Sequence, residues 1–392
     1  MRSNTRWRLA APLLALAVNV LTINPCRTTL GRETDGSAHI RADQWHLNFL
    51  RAPEAQRLSQ GEGVVVAVPD TGVDPHPDLQ KNLLSGIDVV AGGTGDGHRD
   101  QNSHGTSMAG LIAAHGQNAN GGALGIAPRA KIMPIISSSS YNLGEADDLA
   151  AGIEYATSHG AKVISISSGG GSNTRLIQAV RGALAADIVV VAAAGNAPED
   201  SGIQYPATEE GVISVGGIDQ QGNHASVSVT GTGLDVVAPA VDIYSTSYGG
   251  KYSKGTGTSS ATAIVAGAAA LIRSKYPDLP ATEVVHRLTA TAVDKGPPGR
   301  DDEYGYGVID LVAALTADVP PLGFESATAD APDRSGPGTT AVAEPAGNDG
   351  GEGGATARGL ATLGVIVAAG GAWALVARRR RRGDDPPPRI SR

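Results

Sequence analysis

Three residues in this sequence could together activate a serine for attack on a carbonyl carbon. Asp70 follows an apolar run, 64–68, that has the pattern of a buried strand, whereas His104 and Ser259 each open a helix-like segment. Each has an ordinary structural interpretation, since Asp forms turns and Ser caps helix N-termini. As a set, a carboxylate, an imidazole and a hydroxyl are the groups that nucleophilic acyl transfer requires.

The triplet Asp70-Thr71-Gly72 also occurs in aspartic proteases, which pair two carboxylates that share one proton. The sequence contains this triplet only once. A homodimeric enzyme of the retroviral type needs one copy per chain, but such chains are short and all-β. The pattern therefore favours serine chemistry.

Two further strand-like runs end in small residues that could lie along a bound peptide. One ends at Ser167-Ser168-Gly169-Gly170, and the other at Ala193-Ala194-Gly195-Asn196. Exposed backbone at such strand ends can pair with a peptide as an added strand. By itself, an Asn after Gly is more often a turn residue.

The elements that must position these residues alternate between strands and helices. Near-continuous β-branched runs predict strands at 64–68, 132–136, 163–166, 188–193 and 212–215. Helices are predicted at 104–115, 145–159, 173–186, 259–275, 281–290 and 310–315. This alternation predicts an α/β fold with three layers, in which a doubly wound, mostly parallel sheet lies between helices. Reactive groups in such sheets lie outside the carboxyl ends of the strands.

The motifs around Asp70, His104 and Ser259, in that order, resemble the three signature segments of the subtilisin family of serine proteases. They read Asp-Thr-Gly, His-Gly-Thr and Gly-Thr-Ser-Ser-Ala, and the resemblance extends over 61–316. It implies that Asp70, His104 and Ser259 form a catalytic triad with Asn196 in the oxyanion hole.

The same resemblance implies that six residues line the substrate backbone and the first specificity pocket: Ser167, Ser168, Gly169, Ala193, Ala194 and Gly195. The segment 197–204 is short, and the sequence assigns no residue to the floor of that pocket.

A narrower resemblance, to the mycosins, lies in Gln44-Trp45-His46-Leu47, in Gly61-Glu62-Gly63-Val64 and in the two chain ends. Mycosins are subtilisin-like proteases associated with type VII secretion in actinobacteria. This resemblance implies protein or peptide substrates, a cell-membrane location with the catalytic domain outside, and the secretion machinery as a partner. A surface scaffold whose catalysis is dispensable is the alternative function, and a soluble degradative protease is a third.

Both ends of the chain have membrane-signal patterns. Arginines before an apolar run predict a signal peptide within 1–30, and an uncharged stretch followed by five arginines predicts a transmembrane helix at 358–378 with a basic cytoplasmic tail, 379–392. A Pro/Gly-rich acidic linker is predicted at 317–357. An N-terminal extension is predicted at 31–60. Residues 24–60 are either a removable propeptide or a permanent wrap around the domain, and their short length favours the wrap.

Composition excludes some classes of function. The net charge is −8, and the basic residues are concentrated at the ends, so the middle of the chain is strongly acidic. A nucleic-acid binder needs a basic face to neutralise phosphates, so the acidic middle of the chain argues against that class. The single cysteine, Cys26, precludes an intrachain disulfide.

Asp74, His76 and Asp78 have residue types that could bind a metal. Their spacing resembles a structural turn of the subtilisin family, and no second cluster of ligands accompanies them. We therefore expect no catalytic metal and no cofactor, with structural calcium left open.

Overall fold

The computed structural model describes residues 23–25, 37, 39–118, 121–138 and 145–323. Most of the predicted signal peptide and linker, and all of the predicted transmembrane helix and basic tail, lie outside these residues. Within them, no helix has the length and apolar character that crossing a membrane requires.

The described residues form strands and helices in alternation. The strands are β1 Ile23–Pro25, β2 Val65–Asp70, β3 Ile87–Asp88, β4 Lys131–Ile136, β5 Val163–Ile166, β6 Ser168–Gly170, β7 Val189–Ala193, β8 Ile213–Ile218, β9 Val236–Pro239, β10 Ile243–Thr246 and β11 Tyr252–Gly255. The helices are α1 Ile40–Asp43, α2 Trp45–Phe49, α3 Ala52–Leu58, α4 His104–Ala113, α5 Ala146–Ser158, α6 Thr174–Ala185, α7 Thr258–Lys275, α8 Ala281–Ala290 and α9 Leu311–Thr316.

Seven strands of the described part form one parallel sheet, in the order β3-β4-β2-β5-β7-β8-β9. Two antiparallel pairs stand apart from it, β1 with β6 and β10 with β11. The sheet confirms the predicted α/β fold with a mostly parallel sheet. The five predicted strands and six predicted helices are all present, with boundaries that differ from the predicted ones by at most three residues.

The two faces of the sheet support two hydrophobic layers. Val66 and Val68 of β2 pack in the cluster that includes α4 and α7, whereas Ala67 packs in the cluster that includes α5 and α6. This alternation follows from the two-residue period of a strand, and β-branched residues on both faces suit a sheet covered by helices. The result is a three-layer arrangement.

The helix α7 lies in the core, since its residues from Thr258 to Arg273 are buried. Small side chains let it approach its neighbours closely. A Cβ atom added to Gly267 would lie 2.7 Å from the Cβ of Ile126. A helix held this tightly gives its N-terminal residues fixed positions.

Candidate active site

The carboxylate of Asp70 and the imidazole of His104 form a close, buried pair. Asp70 ends β2, His104 starts α4, and the Asp70 Oδ1 and Oδ2 atoms lie 2.7 and 2.8 Å from His104 Nδ1. The side chains are only 5% and 6% exposed. Since Nδ1 donates to the carboxylate, the tautomer with a free electron pair on Nε2 is favoured.

Two glycines let the chain segments that carry this pair approach each other. A Cβ atom on Gly105 would lie 2.1 Å from the carbonyl oxygen of Gly72, and Gly72 itself has a φ of +94°. Another glycine of α4, Gly110, lies against Thr246 of β10 in the same way. The small residues of α4 therefore allow close packing between elements.

The pKa of His104 is raised above its ordinary value of 6.5. Burial acts in the opposite direction, because it disfavours the imidazolium, but the charge of Asp70, its hydrogen bond and the charge of Asp100 outweigh it. The site is thus arranged to stabilise a protonated imidazole, which is the state that a general base reaches after accepting a proton.

Asp100 organises the same pair of segments and was not identified from the sequence. Its Oδ1 accepts from the Thr71 hydroxyl at 2.9 Å, and its Oδ2 accepts from the backbone and hydroxyl of Thr106 at 2.9 and 2.6 Å. In turn, the Thr71 hydroxyl accepts from the backbone N–H of Gly105. The available signal was an Asp four residues before His104 in a polar segment.

Ser259 is the second residue of α7 and is buried. Its hydroxyl donates to the carbonyl oxygen of Ser167 at 3.1 Å, and the Ser167 hydroxyl donates to the Ser259 carbonyl oxygen at 3.3 Å. The first-turn N–H groups and the positive end of the helix dipole favour negative charge close to Ser259.

Asn196 is fixed against the start of the same helix. Its Oδ1 atom accepts from the backbone N–H of Thr258 at 2.9 Å and from the Thr258 hydroxyl at 3.0 Å. Its own backbone N–H donates to Asp200 at 2.7 Å. Asn196 and Ser259 are therefore held at the same helix terminus. Asp200 positions Asn196 through its backbone, a role that the sequence did not reveal.

The segments predicted to line the substrate meet at Gln204. A Cβ atom on Gly169 would lie 2.7 Å from Gln204 Cβ, and one on Gly195 would lie 3.1 Å from Gln204 Cγ. The backbone N–H of Gln204 donates to the Ala194 carbonyl oxygen at 2.8 Å. The Gln204 side chain thus lies between β6 and the end of β7. The sequence had assigned no residue to the floor of the first pocket, which we expected in this region.

The strand β6 pairs with an antiparallel strand. Asn24 of β1 lies opposite Gly169, and Pro25 lies opposite Ser168. The edge of β6 can therefore accept an extended segment in antiparallel register. The strand β1 falls within the predicted signal peptide.

A cavity of about 210 Å³ opens beside the Asp70–His104 pair. Thr71, which follows Asp70, and Asn102, two residues before His104, line it together with Asp88 and Arg99. Both a carboxylate and a guanidinium therefore border the cavity.

Comparison with known proteins agrees with this geometry. Residues 61–307 match the model of the Subtilase family, peptidase S8. The chain belongs to the subtilase family. It is a subtilisin-like serine protease, because it matches curated proteases over most of their length.

Two of these relatives illustrate the similarity. Subtilisin Savinase from Lederbergia lenta is 40% identical over 272 residues, which are 69% of this chain and 97% of Savinase. An alkaline protease from Alkalihalobacillus alcalophilus is 37% identical over 299 residues, 76% of each chain.

Solved structures extend the comparison to the mycosins. The MycP3 protease from the type VII (ESX-3) secretion system superposes with a TM-score of 0.65 at 32% identity, covering 76% of this chain and 93% of that one. MycP1 with its N-terminal propeptide removed gives 0.63 at 32% identity, covering 70% and 98%. This subtilase is therefore related to mycosins of type VII secretion.

Proposed function

We propose that this subtilase is a membrane-anchored extracellular endopeptidase in which Asp70, His104 and Ser259 form the catalytic triad. The observation that carries the proposal is the buried Asp70–His104 pair, at 2.7 Å, in the same domain as a serine at a helix N-terminus. The membrane anchor rests on the sequence patterns at 1–30 and 358–378.

In this mechanism His104 Nε2 accepts the Ser259 hydroxyl proton as Oγ attacks the carbonyl carbon of the scissile peptide bond. Asp70 holds the imidazole and stabilises its protonated form. The proton then passes to the leaving amine, and water hydrolyses the acyl-enzyme by the same route.

The oxyanion is stabilised by Asn196 and by the Ser259 backbone N–H. The contact of Asn196 Oδ1 with Thr258 turns this amide towards the start of α7, which supports the role. Removal of such a donor lowers kcat by about 10²–10³, a magnitude that comes from subtilisin itself. The chemistry uses no cofactor.

The substrate backbone lies along Ser168 and Gly169 of β6 and along Ser167, which directly precedes this strand. The pairing of β1 with β6 supports this role, since it has the antiparallel register that a bound peptide would adopt. Ala193, Ala194 and Gly195 form the opposite wall of the first pocket. A substrate would take the place of β1.

We further propose a role beside the type VII secretion machinery. This rests on the likeness to MycP1 and MycP3 and on the arginines that follow the predicted span. The substrates are then proteins or peptides at the cell surface.

Covalent labelling tests the catalytic part of the proposal. The full-length protein is treated with a fluorophosphonate probe, with Ser259→Ala and His104→Ala as matched variants. Labelling that both substitutions abolish supports the triad. A folded protein that takes no label would favour the scaffold function instead.

A further inference from the structure

The residues Asp74, His76 and Asp78 do not converge on a common point. An oxygen of Asp74 accepts the backbone N–H of Gly249 at 2.8 Å, and His76 Nδ1 accepts the Asp78 N–H at 3.0 Å. His76 Nε2 therefore carries the proton that it donates to the carbonyl oxygen of Lys251 at 2.9 Å. Among the described residues, no group of three or more His, Cys, Asp or Glu side chains could hold a metal.

One oxygen of Asp78 nevertheless lacks a hydrogen-bond partner. The side chain is fully buried, and its Oδ2 accepts from the Tyr252 hydroxyl at 2.8 Å and the Ala123 N–H at 2.6 Å. Its Oδ1 has no partner and lies against Gly122, where an added Cβ would be 2.7 Å away. A buried carboxylate without a compensating cation is strongly disfavoured.

The cation nearby comes from the N-terminal extension. Arg41 of α1 is half-buried, and its guanidinium donates from Nε to the Gly122 carbonyl oxygen at 3.0 Å and from Nη2 to the Gly121 carbonyl oxygen at 3.2 Å. It also lies against Gly116, where an added Cβ would be 2.3 Å from Nη2.

Gly122 lies between the two charged groups, since its carbonyl oxygen accepts from Arg41 and a Cβ atom added to it would lie 2.7 Å from Asp78 Oδ1. Burial lowers the pKa of Arg41, and the charge of Asp78 opposes that shift. The side chain nevertheless stays charged, because guanidinium is not deprotonated in proteins.

The groups around Arg41 are those that a calcium ion prefers. A carboxylate oxygen and two backbone carbonyl oxygens are hard ligands for Ca²⁺. In this protein the guanidinium uses the carbonyl oxygens and supplies the positive charge, so the residues present do not fit a bound ion. Because the guanidinium is covalently attached to the chain, its positive charge is present at this position without any free metal ion.

We propose that the Arg41 guanidinium occupies, beside Asp78, a position that a calcium ion could otherwise take. Removing the guanidinium then allows Asp78 and the carbonyl oxygens of Gly121 and Gly122 to bind calcium. In the intact chain, the stability of this site then does not depend on calcium. It follows that residues from Arg41 onwards belong to the folded domain, because excision of Arg41 would leave Asp78 uncompensated.

The test is thermal unfolding of the full-length chain in millimolar CaCl₂ or in EDTA. All variants carry Ser259→Ala to prevent self-digestion. Arg41→Met keeps an apolar stem and removes the charge, and Arg41→Lys keeps the charge. The double variant Arg41→Met with Asp78→Asn removes both charges.

We expect the parent and Arg41→Lys to unfold at the same temperature in both buffers. We expect Arg41→Met to unfold at a lower temperature in EDTA and to regain at least about 2–4 °C in calcium. The double variant should lose this calcium response. If Arg41→Met does not fold in EDTA, the refolding yield in calcium against EDTA gives the same readout.

Titration calorimetry with CaCl₂ alone provides a second measurement. Heat of binding is expected for Arg41→Met and absent for the parent and the double variant. Arg41→Met that neither binds calcium nor is stabilised by it would overturn the proposal. A parent chain that calcium stabilises would overturn it as well, because Arg41 would then not occupy the site.

Discussion

The hydroxyl of Ser259 donates to the carbonyl oxygen of Ser167, 3.1 Å away, while His104 Nε2 has no hydrogen-bond partner among the described residues. A peptide that pairs with the edge of β6 would compete with the Ser259 hydroxyl for backbone groups at and next to Ser167. Substrate binding would thereby release the hydroxyl towards the imidazole.

We therefore expect Ser259 Oγ to lie within about 2.6–3.2 Å of His104 Nε2 once a peptide is bound. The measurement is a crystal structure of the protein with a non-cleavable peptide analogue, compared with the peptide-free crystal. A hydroxyl that still donates to Ser167 in the complex would contradict this sequence of events.

Replacing Asp70 by Asn should lower kcat by about 10⁴ without unfolding the protein. An amide can donate to Nδ1, which favours the tautomer that has no electron pair on Nε2. Peptide hydrolysis by the purified variant measures the effect. Asp74→Asn is the matched control, since Asp74 lies four residues away and its carboxylate accepts a backbone N–H from Gly249. Equal losses in the two variants would argue against a special role for Asp70.

The raised pKa of His104 predicts a pH dependence of activity and of stability. Because the base must be neutral, kcat/KM should rise with pH around a midpoint above 6.5. The folded state favours the protonated imidazole, so its contribution to stability is complete below 6.5 and disappears as pH rises through the folded-state pKa.

Two measurements check this dependence, a pH profile of kcat/KM and the unfolding temperature of Ser259→Ala against pH. Asp70→Asn in that background should flatten the loss of stability above pH 6.5. A midpoint at or below 6.5 in the kcat/KM profile would show that burial of His104 outweighs the charge of Asp70.

Asp100→Asn should lower kcat by about 10², because the segments that carry Asp70 and His104 lose the carboxylate that holds them in register. It should also move the kcat/KM midpoint to lower pH, because the charge of Asp100 contributes to the raised pKa of His104. A merely structural role would leave that midpoint unchanged. Asp96→Asn, in the same loop and more exposed, is the control.

The sequence predicted the sheet and its main helices because their cores have regular apolar periods. It did not predict the strands β9, β10 and β11, which are four residues each and lack a long apolar run. The helices α1 to α3 were also missed, and they are short and stabilised by contacts with distant segments. One such contact is that of Trp45 Nε1 with the Val241 carbonyl oxygen.

The site shows the same division. The roles of Asp70, His104, Ser259 and Asn196 were predicted from the resemblance of their motifs to the subtilisin family, and each of these residues lies at or near the end of a recognisable element. Asp100 and Gln204 lie in irregular segments, so their positions depend on how loops far apart in sequence meet. Neither local propensity nor spacing contains that information.

We expect the Gln204 side chain to limit the size of the substrate residue on the amino side of the scissile bond. This side chain lies between Gly169 and Gly195, the two glycines that we propose border the first pocket, and its Nε2 donates to the Gly202 carbonyl oxygen at 2.7 Å. The side chain therefore occupies space that a large substrate side chain would need, which favours small residues such as Ala at that position. Gln204→Gly removes the obstruction.

We expect Gln204→Gly to raise kcat/KM for Phe relative to Ala at this position by roughly tenfold or more, since pocket contacts worth one methylene group change specificity by 10-fold to 200-fold. Peptide substrates that differ only at this residue measure the ratio. Gln221→Gly is the control, because Gln221 lies in the exposed turn after β8. An unchanged ratio would mean that the Gln204 side chain does not limit the pocket, and that the substrate side chain lies elsewhere along β6.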